Sequence, residues 1–173
     1  MTALLLIDFQ NEWETQISPY YLGNLAKLIK NTNTLIDFCR KRKQRIIFTQ
    51  HIELNSSAEF AQKTKRSELL TTLHRQSSDS IVIKNKISPF YKTDLLEKLS
   101  GIESLVIAGI LANLCVRSAI EDAYDRGFRI TVVKDCCIAF NKKLQKFTFE
   151  DLKSTREDIE FLLLKEFIQS LDI

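Results

Sequence analysis

Short apolar runs alternate with helical patterns along this chain, and that alternation limits its fold more than anything else. The runs are "ALLLI" (3–7), "RIIFTQ" (45–50), "SIVIK" (80–84), "SLVIA" (104–108) and "FRITVVK" (128–134). Such Ile-, Leu- and Val-rich stretches read as strands covered on both faces. Between the first two, residues 20–43 carry Leu22, Leu25, Leu28, Ile29, Leu35, Ile36 and Phe38 at helical spacing. A short helix is expected over 67–75. Another is expected over 92–100, started by Thr93 or Asp94 and stopped by Gly101, and a third over 114–126, stopped by Gly127. The tail from 142 to 171 reads as helical, with an apolar stripe of Leu152, Ile159, Leu162, Leu163, Phe167 and Ile168. The expected fold is therefore α/β: three α/β/α layers around a mostly parallel central sheet of five to six strands.

Length and composition narrow the class. The 173 residues suit a single domain spanning 1–173, which hides roughly 70% of its unfolded surface and needs no disulfide or metal staple. A net charge of +3 is mild, and "CRKRKQR" (39–45) is the one dense basic run. It lacks aromatic or base-reading neighbours, so it reads as a solvated last helical turn suited to the dipole, not as a nucleic-acid patch. No stretch approaches the roughly 20 apolar residues of a membrane span. The apolar N-terminus is too short for a secretory signal. Cys39, Cys115, Cys136 and Cys137 have no framework or C-x-x-C spacing, so the chain is expected to be cytoplasmic with reduced thiols.

In sheets of this kind ligands gather beyond the carboxyl ends of the strands. Here those ends release Asp8, the stretch Gln50-His51, Lys84, and the turn from Gly109 to Cys115. An acid, a cation and a thiol thus emerge at one sheet edge. A cysteine at a helix N-terminus is favoured as thiolate, and free N–H groups of the preceding turn can hold an oxyanion. Asp8 could take the thiol proton and return it to a leaving amine, while Lys84 stabilises both anions. On spacing alone, each has an ordinary alternative: a turn-capping Asp, a solvent-facing Lys, a buried filler Cys.

The stretches "LLLIDFQNEW", "IVIKNKISPFYKTDL" and "LVIAGILANLCVRSAIEDAYDRGFRITVVKDCC" together resemble the isochorismatase-like cysteine hydrolases, a family that includes nicotinamidases and carbamoyl-group amidases. The resemblance covers roughly residues 3–140. It implies Asp8 as general acid/base, Lys84 as the partner lysine and Cys115 as the nucleophile. It also implies an oxyanion hole from the backbone N–H groups of Leu111 and Cys115, and a non-proline cis peptide between Ile110 and Leu111. Trp13, Phe90 and Tyr91 fall where the family lines its pocket, and His51 is expected on a pocket wall or loop. The sequence also departs from the pattern. Ala112 stands where a threonine is usual. The nicotinamidase metal pair, Asp-x-His, is replaced by "QHIEL", which offers only His51 and Glu53 in reversed order, so no metal is expected. The family's last short strand is not evident after 140.

The retained thiol favours hydrolysis of a C–N bond (amide, ureido or carbamoyl) in a small molecule through a thioester. Vinyl-ether hydrolysis, which does not need the thiol, and a silent binding module of the same fold are the alternatives. The cycle calls for no cofactor. Expected partners are a small-molecule substrate and further copies of the chain, since family members are commonly dimers or larger and the tail stripe has apolar residues to spare. Neither nucleic acid nor membrane is expected.

Overall fold

In the computed structural model, which describes residues 1–171, the apolar runs do become strands. The last two residues of the expected 1–173 domain lie outside the described residues. The strands are β1 (Thr2–Ile7), β2 (Arg45–His51), β3 (Ser80–Lys84), β4 (Ser104–Ile110), β5 (Arg129–Ile138) and β6 (Glu160–Leu162). They form one sheet in the order β3-β2-β1-β4-β5-β6, with every pairing parallel. The helices are α1 (Ala26–Lys41), α2 (Leu95–Lys98), α3 (Arg117–Asp125), α4 (Lys142–Thr155) and α5 (Leu164–Leu171). α1 meets α5 through the Phe38 and Phe167 rings, 5.8 Å apart at their centroids. α3 and α4 are joined by the Arg117–Asp151 ion pair at 2.7 Å. Together they make the outer layers of an α/β/α sandwich. Residues of β1, such as Leu4, Leu5 and Leu6, are fully buried, as the central place of that strand requires. No helix among the described residues is long and apolar enough to cross a membrane.

The strand order places the site. From β1 the chain builds outward through β2 to β3, then returns to the other side of β1 and builds through β4 to β6. The boundary between β1 and β4 is the switch point, where such sheets leave a crevice at their carboxyl edge. Ile7 pairs with Gly109 there, so Asp8 and the turn after β4 emerge side by side.

Several local expectations need correcting. Residues 68–75 are not helical, and Ser67 only ends a short 3-10 turn, Lys65–Ser67. Leu69 bridges Gln10, and Leu70 N donates to Phe9 O at 2.9 Å. Asn11 N donates to Glu68 O at 2.9 Å. The segment satisfies its backbone by lying along the stretch after β1, and this tertiary pairing overrides its helical spacing. The first helix begins at Ala26, not near 20, because Gly23 has φ 81° and the Asn24 side chain accepts from Ala26 N at 2.8 Å. The 92–100 helix contracts to the single turn of α2. β5 continues to Ile138 through an irregular stretch, so that Ile107 faces Val132 but Gly109 faces Cys137.

The tail departs most. It is broken into α4, β6 and α5, and β6 supplies the last short strand by pairing Glu160–Leu162 with Thr131–Val133 of β5. Leu152, Ile159 and Phe167 of the apolar stripe are buried within the chain. Leu163 of the same stripe is exposed, and Leu162 and Ile168 are partly buried.

Candidate active site

Asp8 follows β1 with φ 52°, a left-handed conformation that aspartate tolerates better than most residues and that clusters at functional sites. Its carboxylate is fixed at both oxygens. The Thr49 hydroxyl of β2 donates to Oδ1 at 2.6 Å, and Lys84 Nζ of β3 sits 2.7 Å from Oδ2. Asp8 N donates back to Thr49 Oγ1 at 3.1 Å, and Trp13 Nε1 donates to Asp8 O at 2.6 Å.

Lys84 does not point into solvent, as strand-end lysines usually do; it is 2% exposed. Its ammonium also donates to Lys86 O at 3.1 Å and reaches Cys115 Sγ at 3.5 Å. His51, its neighbour in register on β2, places Nδ1 3.3 Å away. The other ring nitrogen of His51, Nε2, lies 2.7 Å from Glu53 Oε1. Burial alone would depress the Lys84 ammonium; the Asp8 carboxylate and Cys115 outweigh it and hold its pKa above the ordinary value.

Cys115 lies in a π-helical turn, Ala112–Val116, that leads into α3. The Leu111 carbonyl accepts from both Leu114 N and Val116 N at 3.1 Å. The peptide between Ile110 and Leu111 is cis. The expected resting thiolate is reversed here. Burial pushes the Cys115 thiol up to about 12, with the Asp8 charge and a hydrogen bond to Asp8 adding to it, against the opposing pull of Lys84.

These groups sit at the foot of a cleft of about 370 Å³ that Leu111 and Cys115 line. One wall is an aromatic cluster. Trp13, Tyr20 and Phe60 meet edge to face, with centroids 5.1 to 6.0 Å apart. His51 packs against Phe60 at 5.5 Å. A larger groove of about 850 Å³, bordered by Lys27, Lys134 and Phe140, contains neither Asp8 nor Cys115.

The structure thus brings Asp8, Lys84, Cys115, Leu111, Trp13 and His51 together. It does not bring in Phe90 or Tyr91. Phe90 is buried against Phe128, with the Arg126 guanidinium 4.8 Å above its ring. Tyr91 is half exposed beneath Lys92. Both lie outside the cleft because the chain after β3 turns away toward α2, and Tyr20 and Phe60 take the wall instead.

Three supporting residues went unnoticed in the sequence. Gln10 is fully buried. Its amide donates to His51 O at 2.8 Å and Ser67 O at 2.6 Å, and its carbonyl accepts from His51 N at 2.9 Å, so it fixes the loops around the cleft. Glu12, also fully buried, is paired with Arg66. Thr49 gave a signal: a hydroxyl inside the apolar run "RIIFTQ" must find a partner.

A metal would not fit the residues present. Among the described residues no group of three His, Cys, Asp or Glu stands together to hold one. His51 and Glu53 are already bonded to each other, and the other face of His51 meets an ammonium.

The chain is 28% identical over 167 residues to nicotinamidase 3 of Arabidopsis thaliana, covering 88% of this chain and 80% of that protein. It is 23% identical over 150 residues to maleamate amidohydrolase of Pseudomonas putida, covering 78% and 70%. Its fold superposes on the crystal structure of an isochorismatase-like hydrolase from Alkaliphilus metalliredigens with a TM-score of 0.86, at 23% identity, over 98% of each chain. The model of the isochorismatase domain matches residues 2–159. An acid, a buried lysine and a thiol at the switch point of a parallel sheet thus find their place: this chain belongs to the isochorismatase family of hydrolases.

Proposed function

We propose that the protein hydrolyses a C–N bond of a small amide, ureide or carbamoyl compound through a thioester on Cys115. One observation carries this reading: the Lys84 ammonium sits between the Asp8 carboxylate and Cys115 Sγ, at 2.7 and 3.5 Å, beside an open cleft. Two of the relatives bear amide-hydrolase names, which supports the same bond class.

The thiol proton passes to Asp8 as sulfur attacks the carbonyl carbon, so no standing thiolate is required. The tetrahedral oxyanion takes hydrogen bonds from the Leu111 and Cys115 amides. Asp8 then gives its proton to the nitrogen, the C–N bond breaks, and ammonia or an amine leaves. Water, deprotonated by Asp8, adds to the thioester. Sulfur leaves with that proton, releasing the acid and restoring the thiol. Lys84 keeps Asp8 in place and balances its charge.

The test is ammonia release from a panel of amides, ureides and carbamoyl compounds by the wild type, Cys115→Ala and Asp8→Asn. Turnover that both substitutions abolish is expected. Ammonia release that survives Cys115→Ala would move the chemistry to another site.

A further inference from the structure

The cleft is acidic, and its charge balance defines a substrate class. No lysine or arginine side chain lines it among the described residues, whereas Asp8, Glu53 and Glu59 do. Asp8 is neutralised by Lys84 behind it. Arg66 lies 3.8 Å from Glu59, but its guanidinium is engaged by the fully buried Glu12, donating from both Nε and Nη2. Glu53 meets the His51 ring, Nε2 to Oε1 at 2.7 Å, and no lysine or arginine among the described residues. Lys86 shares a neighbouring groove with Glu53, yet makes no ion pair with it among the described residues. Glu12 and Glu59 thus share one guanidinium, and the carboxylates on and around the cleft outnumber the lysines and arginines that meet them, beside the aromatic residues Trp13, Tyr20 and Phe60.

We infer that the substrate is an amide carrying a positive charge (an ammonium, guanidinium or pyridinium) on the side away from its scissile carbonyl, with Glu53 and Glu59 as the residues that select it. This rests on the amide-hydrolase reading above. Aromatic faces attract cations through their quadrupole, and carboxylates at a partly enclosed mouth reinforce them. An anionic substituent meets the same wall as repulsion, with no guanidinium or ammonium to receive it. The thiol and Asp8 at the foot of the cleft then take the amide end, which is neutral in every case.

A matched series tests this directly: 3-(aminomethyl)benzamide, 3-(hydroxymethyl)benzamide and 3-carboxybenzamide, which are cationic, neutral and anionic at pH 7. Binding to Cys115→Ala is measured by calorimetry, and ammonia release by the wild-type protein. The expected order of affinity is cation, neutral, anion, with steps of about tenfold that shrink as salt rises. Glu59→Gln and Glu53→Gln, each checked for an unchanged melting temperature, should each narrow the cation-to-neutral ratio about threefold, as expected for half-exposed charges. A flat or reversed order, an order unmoved by either substitution, or no binding of any of the three overturns the inference. The ordered binding without Cys115-dependent ammonia release from any amide tells against the hydrolysis and leaves the charge selection standing. Hydrolysis without the order does the opposite.

Discussion

The Lys84 ammonium lies 2.7 Å from the Asp8 carboxylate, and neither side chain exposes more than 1% of its surface. Two buried charges this close stabilise each other, and removing one strands the other. Lys84→Met and Asp8→Asn should each cost about 3–5 kcal/mol. The double variant should recover much of that loss, since no unpaired charge remains, while staying inactive. Urea denaturation of the four proteins gives the coupling. A double variant as unstable as the sum of the singles would mean that the pair does not act as a unit.

Thiol reactivity gives a sharper test, because Asp8 and Lys84 act on Cys115 in opposite senses. Burial and then Asp8 push the thiol up, and Lys84 pulls it down. Asp8→Asn removes the second cause and leaves Lys84 unopposed. Iodoacetamide should therefore alkylate Cys115 faster at pH 7 in Asp8→Asn than in the wild type, even as turnover is lost. In the wild type the rate should climb about tenfold per pH unit from 7 to 9 without a plateau, since the thiol's pKa is pushed up to about 12. Peptide mapping separates Cys115 from Cys39 and Cys136, which are fully buried. An early plateau near neutrality would restore the resting thiolate.

The thiolate expectation failed for a reason that also divides the legible from the illegible parts of this chain. The helix N-terminus can be read from "GILANLCV", but desolvation and the carboxylate facing Sγ depend on packing. The same holds elsewhere. β1 to β4 were legible because their apolar runs are buried wherever the chain goes, and Asp8, Lys84 and Cys115 followed as strand-end residues. Residues 67–75 were misread because helical spacing says nothing of Phe9 O waiting for Leu70 N. β6 was hidden because three residues give no period. Phe60 and Tyr20 could not be placed on the cleft wall, since long loops carry their residues to positions that local spacing does not encode. Phe90 and Tyr91 were misplaced for the same reason.

Acid stability should depend on Glu12. Burial by itself would raise this carboxyl. Hydrogen bonds from Arg66, Ser18 and Phe60 overrule it, so its folded pKa lies below the ordinary 4.5. A lowered folded value means that the contribution is complete above about pH 4.5 and is lost as pH falls through the folded pKa. Glu12→Gln should therefore cost about 3 kcal/mol at pH 7, where it strands Arg66 and the Phe60 amide. Its stability should also decline less steeply than the wild type's below pH 4.5. Thermal melts from pH 3 to 7 measure both. Parallel acid slopes would remove Glu12 from the account.

Gly109 should tolerate no side chain, and the reason connects the sheet to the site. A Cβ there would lie 2.5 Å from both Ile7 Cβ and Ile7 O, and 2.8 Å from Ile7 N, at φ 151°. Two of these atoms are backbone, so relief requires β1 to move, and Asp8 is the next residue along it. Gly127 is the control. Its φ of 78° also strains an L-residue, but a Cβ there meets nothing within 4 Å. Gly127→Ala should therefore cost only about 1–2 kcal/mol, the left-handed penalty alone. Gly109→Ala should cost more than about 4 kcal/mol or fail to fold. Any folded fraction should lose turnover as the displaced Asp8 leaves Lys84 and Cys115. Denaturation of both variants decides it: equal costs would mean that backbone conformation, and not the close approach of β1 to β4, demands glycine at 109.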